Sequence, residues 1–276
     1  MRIDSHQHFW KRDFGYYHWL TEDMGAIYRD FSADDLRPLL KKSGIDRTVL
    51  VQAAPDMAET EYMLSLAETT DFIAGVVGWV DMQSIDAPYH LAKLSRSPYF
   101  KGIRLMIQDI NDDDWMLKEE LSTGFFTLIQ LGLCFDALVK PRHLPALLIL
   151  AQRYPKLKIV IDHAAKPDIA DQQFEQWAAD IAALAQLNNV YCKLSGLVTE
   201  AGHNPDFDCL IPYMQHLLNT FTASRLMWGS DWPVLNLATD YSQWISLTEA
   251  FLSSVCPEQQ TQIWSKTAIN FYQLST

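Results

Sequence analysis

The 276-residue chain carries 22 Lys and Arg against 34 Asp and Glu, a formal charge of −12, which is the wrong sign for an unaided nucleic-acid or anionic-membrane surface. Hydrophobic residues make up 49% and charged residues 20%, which are globular proportions. The longest apolar runs, Phe72 to Val80 and Leu144 to Ala151, fall well short of the roughly twenty residues a bilayer requires, so a soluble chain acting on a small molecule is expected.

Taken in order, short β-branched or apolar runs alternate with longer segments of helical spacing, the pattern of strand-helix units on a parallel sheet. The predicted strands are Ile3 to Phe9, Thr48 to Ala53, Ile73 to Val80, Gly102 to Ile107, Cys134 to Val139, Ile159 to His163, Val190 to Leu194 and Leu226 to Gly229. The predicted helices are Ala33 to Lys42, Ala58 to Thr69, Ala87 to Ser95, Leu117 to Leu131, Pro141 to Arg153, Gln172 to Gln186, Asp206 to Thr220 and Tyr241 to Ser253. Eight of each describe an α/β fold, a (β/α)8 TIM barrel, and a chain of this length fits one such barrel as a single domain over 1–276. Gly44 and Gly132 stand where a left-handed helix cap is useful, and Pro141 at a first helical position, where its missing amide proton costs nothing. Pro257 to Tyr272 reads as an extra C-terminal helix that closes the barrel bottom or packs outside it.

Four cysteines, Cys134, Cys192, Cys209 and Cys256, lie far apart, which suits free thiols in a reducing cytoplasm. The N-terminal residues contain no basic segment leading into an apolar one, so no secretory signal is expected. A homodimer is entertained as the assembly, although no helix face names an interface.

In such barrels the chemistry gathers at the carboxyl ends of the strands, so the polar residues there are the candidates. The first strand carries His6 and His8, two apart and therefore on one face, with Asp4 expected on the same row. Arg104 follows Gly102 on the fourth strand, where the glycine is expected to leave room beneath it. His163 ends the sixth, with Lys166 just beyond, and alternation is expected to turn Asp162 outward toward the helices. Lys193 and Ser195 lie on the seventh, and the eighth runs into Gly229-Ser230-Asp231-Trp232-Pro233. Each residue alone has a plainer reading, such as a hydrogen-bonded core histidine, a turn aspartate or a solvated lysine. Their convergence on one mouth favours a site. The linker Lys11 to Asp30 is the longest on that face and is rich in aromatics, including Tyr16 and Trp19, which suits a cover over a ring-shaped ligand.

Together, His6-Gln7-His8-Phe9-Trp10, Asp162-His163-Ala164-Ala165-Lys166-Pro167, Lys193-Leu194-Ser195-Gly196 and Gly229-Ser230-Asp231-Trp232-Pro233 resemble the amidohydrolase superfamily. Within it they resemble the sugar-lactonase branch of L-fuconolactonases and L-rhamnonolactonases, related to pyrone-dicarboxylate lactonases. The resemblance spans nearly the whole chain. It implies a distorted eight-stranded barrel that hydrolyses carbonyl-centred bonds, with the strand-eight aspartate, here Asp231, handling the water. Two-metal members also use a carboxylated lysine or glutamate on strand four and a histidine on strand five. This chain has Arg104 and Cys134-Phe135-Asp136-Ala137 there, so two metals are not expected. One divalent ion such as zinc on His6, His8 and Asp231, joined by His163, and a metal-free mechanism like that of the pyrone lactonases are both compatible with these residues.

The expected reaction opens a sugar lactone to its sugar acid. Asp231 is the expected base, with His163, His6 and His8 as the other catalytic groups and Arg104, Lys166, Lys193, Trp10, Tyr16 and Trp232 as substrate contacts. A metal-dependent amide hydrolase or decarboxylase acting on a small carboxylated substrate is the competing expectation.

Overall fold

The apolar runs form eight parallel strands: β1 (Ile3–Gln7), β2 (Arg47–Val51), β3 (Ile73–Gly78), β4 (Phe100–Leu105), β5 (Cys134–Ala137), β6 (Lys158–Ile161), β7 (Val190–Leu194) and β8 (Leu226–Trp228). They pair in sequence order in one sheet. The computed structural model describes residues 1–202 and 207–275. The sheet closes on itself just beyond β8, where Asp231 N donates to His6 O and His8 N to Trp232 O, both at 2.8 Å. A seam made by a loop rather than by two full strands is the distortion expected of this barrel.

Helices α1 (Ala33–Ser43), α2 (Met57–Thr69), α3 (Ala87–Leu94), α4 (Ser122–Leu131), α5 (Leu144–Arg153), α6 (Glu175–Ala185), α7 (Ile211–Phe221) and α8 (Tyr241–Leu252) form the outer layer. The predicted start of the seventh helix, Asp206, lies outside the described residues. Pro141 opens a short 3-10 turn that precedes α5, while Gly44 and Gly132 take left-handed φ of 65° and 69° at the ends of α1 and α4. Every strand is buried on both sides, which is why each reads as a continuous apolar run. Leu50, Ile103, Phe135 and Ile159 pack outward against Leu36, Met63, Leu91, Phe125 and Leu147 of the helices, all nearly inaccessible to water. Burying each such side chain contributes about 1.5–3 kcal/mol.

The barrel interior is layered. Its floor is apolar: Ile3, Val49, Val51, Val77, Cys134, Val160 and Met227 meet Ala268, Phe271 and Tyr272. The last three belong to a helical segment that begins as α9 (Pro257–Thr261), passes through a π turn (Gln262–Lys266) and ends as α10 (Thr267–Tyr272). This extra segment therefore closes the barrel bottom. Among the described residues no helix is long and apolar enough to cross a membrane.

Two departures from simple alternation place the polar residues above this floor. On β1 the register slips between Asp4 and Gln7, so that three residues oppose two on β2. A bulge of this kind flips the following side chains to the other face. Ile3 points into the floor, whereas Asp4 does not share a row with His6 and His8. It turns outward, taking hydrogen bonds from Ser230 N (2.9 Å), His6 N (3.1 Å) and the Tyr241 hydroxyl of α8 (3.0 Å). Asp4 thus stitches the seam.

At the end of β6 alternation runs inward through Val160 to Asp162, opposite to the expectation that Asp162 faces the helices. His163 is brought into the mouth by a different device. His163, Ala164, Ala165 and Lys166 have φ of 52°, 51°, 62° and 52°. Four consecutive left-handed residues, none of them glycine, cost roughly 1–2 kcal/mol each. The turn is held by Trp177 of α6, whose indole N–H donates to Ala164 O at 2.7 Å.

Candidate active site

At the carboxyl ends of the strands a cavity of about 360 Å3 opens between His8, Arg104, His163, Lys166 and Asp231 on its polar side and Trp19, Met24, Leu138, Val234 and Leu237 on its apolar side. Gln108 and Asp109, in the turn that follows β4, line it as well. Seven polar side chains of different length thus face a wall of hydrocarbon, a setting suited to a ring with hydroxyls on one face.

The innermost group is a cluster of three imidazoles and a carboxylate. His6 Nε2 lies 3.1 Å from His8 Nε2 and 3.6 Å from Asp231 Oδ1. Asp231 Oδ1 is also 3.2 Å from His8 Nε2 and 3.7 Å from His163 Nε2. Two glycines permit this crowding. A Cβ on Gly229 would sit 2.8 Å from the His6 Cβ, and one on Gly196 would sit 2.5 Å from the His163 ring.

The other nitrogen of each ring has its own partner. His8 Nδ1 donates to the Val51 carbonyl at 2.7 Å, which leaves the Nε2 lone pair free toward Asp231. His163 Nδ1 meets the Ser195 hydroxyl at 3.0 Å. His6 Nδ1 faces Lys193 Nζ at 3.0 Å and Asp162 Oδ1 at 3.4 Å.

Beneath His6 the barrel axis holds a fully buried ion cluster. Lys193 Nζ lies 2.5 Å from Asp136 Oδ2 and 2.9 Å from Asp162 Oδ1, and the Tyr272 hydroxyl donates to Asp136 at 2.7 Å. Arg104 closes the cluster above: it donates to the Gln52 carbonyl, and its NH1 lies 3.5 Å from Asp162 and 3.3 Å from His6 Nε2. Gly102 matters here for a reason other than room beneath Arg104. A Cβ there would stand 2.3 Å from the Cys134 carbonyl, so the glycine lets β4 and β5 approach.

Burial and charge set the protonation states. Burial lowers the His163 imidazolium to about 4, against the opposing pull of Asp231 and Asp162. It lowers His6 strongly, assisted by Lys193, and lowers His8 despite the Asp231 carboxylate, which favours the charged ring. For Asp231 burial opposes ionisation, but His163, His8 and His6 more than offset it and hold the carboxyl below the usual range. Burial works against the Lys193 charge as well, yet Asp136 and Asp162 raise its pKa. At neutral pH the site therefore presents three neutral imidazoles and one carboxylate.

That donor set fits one small divalent cation. Ligands held at about 2.0–2.2 Å around a tetrahedral ion stand roughly 3.3–3.5 Å apart, close to the spacings seen here, and ligating imidazoles must be neutral with the second nitrogen engaged. Among the described residues, His6, His163 and Asp231 are the group whose ligand atoms all lie within 4.8 Å of one another, and His8 adds a donor beside two of them. The expected trio of His6, His8 and Asp231 is thus joined by His163. Arg104 and Lys193 occupy, as fixed cations, the side where a second ion would need carboxylates.

Other sequence candidates fall elsewhere. Lys193 is sealed below the site and cannot touch a ligand in the cavity. Trp10 is fully buried, with its indole N–H on the Arg29 carbonyl, and Trp232 packs against Phe9 and Phe31. Tyr16 lies against Phe14 and Tyr17, away from the lining. The aromatic that reaches the cavity is Trp19, whose neighbour Trp10 supports it edge-on at 5.3 Å. Met24, Met106, Gln108, Leu138, Val234 and Leu237 escaped sequence reasoning, because loop residues of ordinary type carry no periodic signal.

Neutral imidazoles and an ionised aspartate at the carboxyl ends of a (β/α)8 barrel are the arrangement with which barrel hydrolases activate water. The chain belongs to the amidohydrolase family, which it matches over residues 3–274. It is 48% identical over 277 residues to an L-fucono-1,5-lactonase of Burkholderia ambifaria, covering 99% of this chain and 96% of that one. It is 34% identical to an L-fucono-1,5-lactonase of Burkholderia multivorans, again over 99% and 96%. A crystal structure of an amidohydrolase from Burkholderia multivorans with bound zinc superposes with a TM-score of 0.95 at 34% identity, over the full length of both chains.

Proposed function

We propose that this protein is a cytoplasmic sugar lactonase that opens an aldonolactone of the L-fucono-1,5-lactone type to its sugar acid. The observation that carries the reading is the convergence of Asp231 with His6, His8 and His163 at a cavity half polar and half apolar, in a chain 48% identical to an L-fucono-1,5-lactonase. The competing amide-hydrolase and decarboxylase readings have no comparable support. Cys134, Cys192 and Cys256, as free thiols, suit a reducing compartment.

In the proposed mechanism Asp231 takes a proton from the attacking water as its oxygen adds to the lactone carbonyl carbon. When the tetrahedral intermediate collapses, the bond to the ring oxygen breaks and Asp231 returns the proton to that oxygen. His6, His8, His163 and Asp231 would hold a divalent ion, zinc being the identity favoured by the solved relative, and such an ion polarises a carbonyl and acidifies water when bound. Arg104 places positive charge beside the developing oxyanion. Lys166, Gln108 and Asp109 face the ring hydroxyls; the Gln108 Oε1 is buried without a partner, which suits a substrate hydroxyl donor. Trp19, Met24 and Leu237 offer the apolar face.

Asp231→Asn tests the assignment. The carboxylate's proton transfer is worth about 10²–10⁴ in turnover. A variant that kept most of its kcat on every lactone the wild type opens would sink the role of Asp231.

A further inference from the structure

Outside the cluster that meets the cavity, one buried carboxylate stands out. Glu59, third residue of α2, is inaccessible to water, and its oxygens accept from Ala53 N at 2.9 and 3.1 Å and from Ala54 N at 2.9 Å. A glutamate at this helical position ordinarily reaches back to the amide of its own N-cap. Here the N-cap amide, Asp56 N, donates instead to Ala54 O at 2.9 Å, and Glu59 bypasses it for the turn that follows β2. Burying a carboxylate is costly, and the hydrogen bonds from the two amides offset part of that cost.

The same turn carries three successive carbonyls, each of which receives a hydrogen bond from a residue of the site. Val51 O accepts from His8 Nδ1 at 2.7 Å, Gln52 O accepts from Arg104, and Ala53 O accepts from the Trp19 indole at 2.7 Å. Gln52 Nε2 in turn donates to the Arg104 carbonyl at 3.0 Å, tying β2 to β4. One imidazole, one guanidinium and one cavity-wall indole are thus aimed by four residues of backbone, and two amides of that backbone are held by Glu59.

We infer that Glu59 is a positioning residue: its carboxylate clamps the turn after β2 and through it sets the orientation of His8, Arg104 and Trp19 together. It touches neither substrate nor ion. The catalytic readout rests on the lactonase reading above, whereas the others do not.

Glu59→Gln keeps the volume but points an NH2 group at one of the two amide protons. Zinc affinity, measured by competition with a chromogenic chelator, is expected to fall about 10- to 100-fold, the usual cost of disturbing a group behind a metal ligand. Turnover of L-fucono-1,5-lactone is expected to fall by a similar factor, with KM moving less than about threefold. In protein labelled with nitrogen-15 histidine, the slowly exchanging Nδ1 proton of His8, identified by its loss in His8→Asn, is expected to shift or broaden. Glu59→Asp, one methylene shorter, is expected to move each readout the same way. A variant folded by circular dichroism that leaves the His8 resonance in place, with zinc affinity and kcat within about twofold of wild type, overturns the assignment. Should Glu59→Gln fail to fold, the same three readings on Glu59→Asp decide. If the wild type opens no lactone, the lactonase reading falls, and the zinc and resonance measurements still decide on Glu59.

Discussion

Removing the Lys193 ammonium is the most searching test of how the barrel interior is balanced. In Lys193→Met a side chain of similar length leaves Asp136 and Asp162 facing each other without the cation that lies 2.5 and 2.9 Å away. Asp162 keeps Arg104 at 3.5 Å, and Asp136 keeps the Tyr272 hydroxyl at 2.7 Å. Stranding one partner of a buried pair costs about 3–5 kcal/mol. At about 2 °C per kcal/mol for a chain of this size, Tm should fall by roughly 6–10 °C. The deficit should shrink as pH falls toward about 5, because stranded carboxylates can then take up protons and lose their charge. Lys193→Met combined with Asp136→Asn removes one charge of each sign and should recover most of the loss. Urea unfolding followed by circular dichroism at two pH values measures all of this. A single variant within about 1 kcal/mol of wild type, or a double variant no more stable than the single, would refute the charge-balance account.

Two further predictions concern backbone and pH. Ala164→Gly and Ala165→Gly, each at a left-handed φ, should raise stability by about 0.5–1 kcal/mol, whereas Ala164→Val should lower it; denaturant midpoints decide. Burial raises the Glu59 carboxyl to about 7, despite the Ala53 and Ala54 amides and with Tyr17 and Arg104 nearby. The folded state then holds its proton more tightly than the unfolded chain, so this group makes stability fall as pH rises from about 4.5 to about 7, by roughly 3 kcal/mol in all. A Glu59→Gln variant should lack that slope; an unchanged pH profile of unfolding would count against it.

Much of the fold is legible in the chain because strands buried on both faces must be apolar throughout, and eight such runs separated by helical spacing leave few alternatives. His8, His163, Asp231, Arg104 and Lys166 were readable as cavity residues from their place at strand ends. What alternation could not supply was parity. The β1 bulge turns Asp4 away from the histidines, and the left-handed turn after Ile161 lets Asp162 and His163, adjacent in sequence, both point inward. Neither device has a composition of its own, since the left-handed turn lacks the glycines that would announce it. Lys193 was misplaced for another reason. A charged residue at a strand end reads as a ligand contact, and only the partners on β5 and β6 show that its charge is spent inside the barrel. Trp10 and Trp232 likewise support the wall from behind while Trp19 forms it.

The floor of the barrel has a consequence for the site above it. Tyr272 lies on α10, outside the eight-stranded sheet, and its hydroxyl donates to Asp136 in the ion cluster under His6. Were α10 undocked, the strands would keep their pairings while the axis opened to water from below, and Asp136, Lys193 and Asp162 would be hydrated. The dry interior that keeps His6 uncharged therefore depends on α10 as much as on the eight strands.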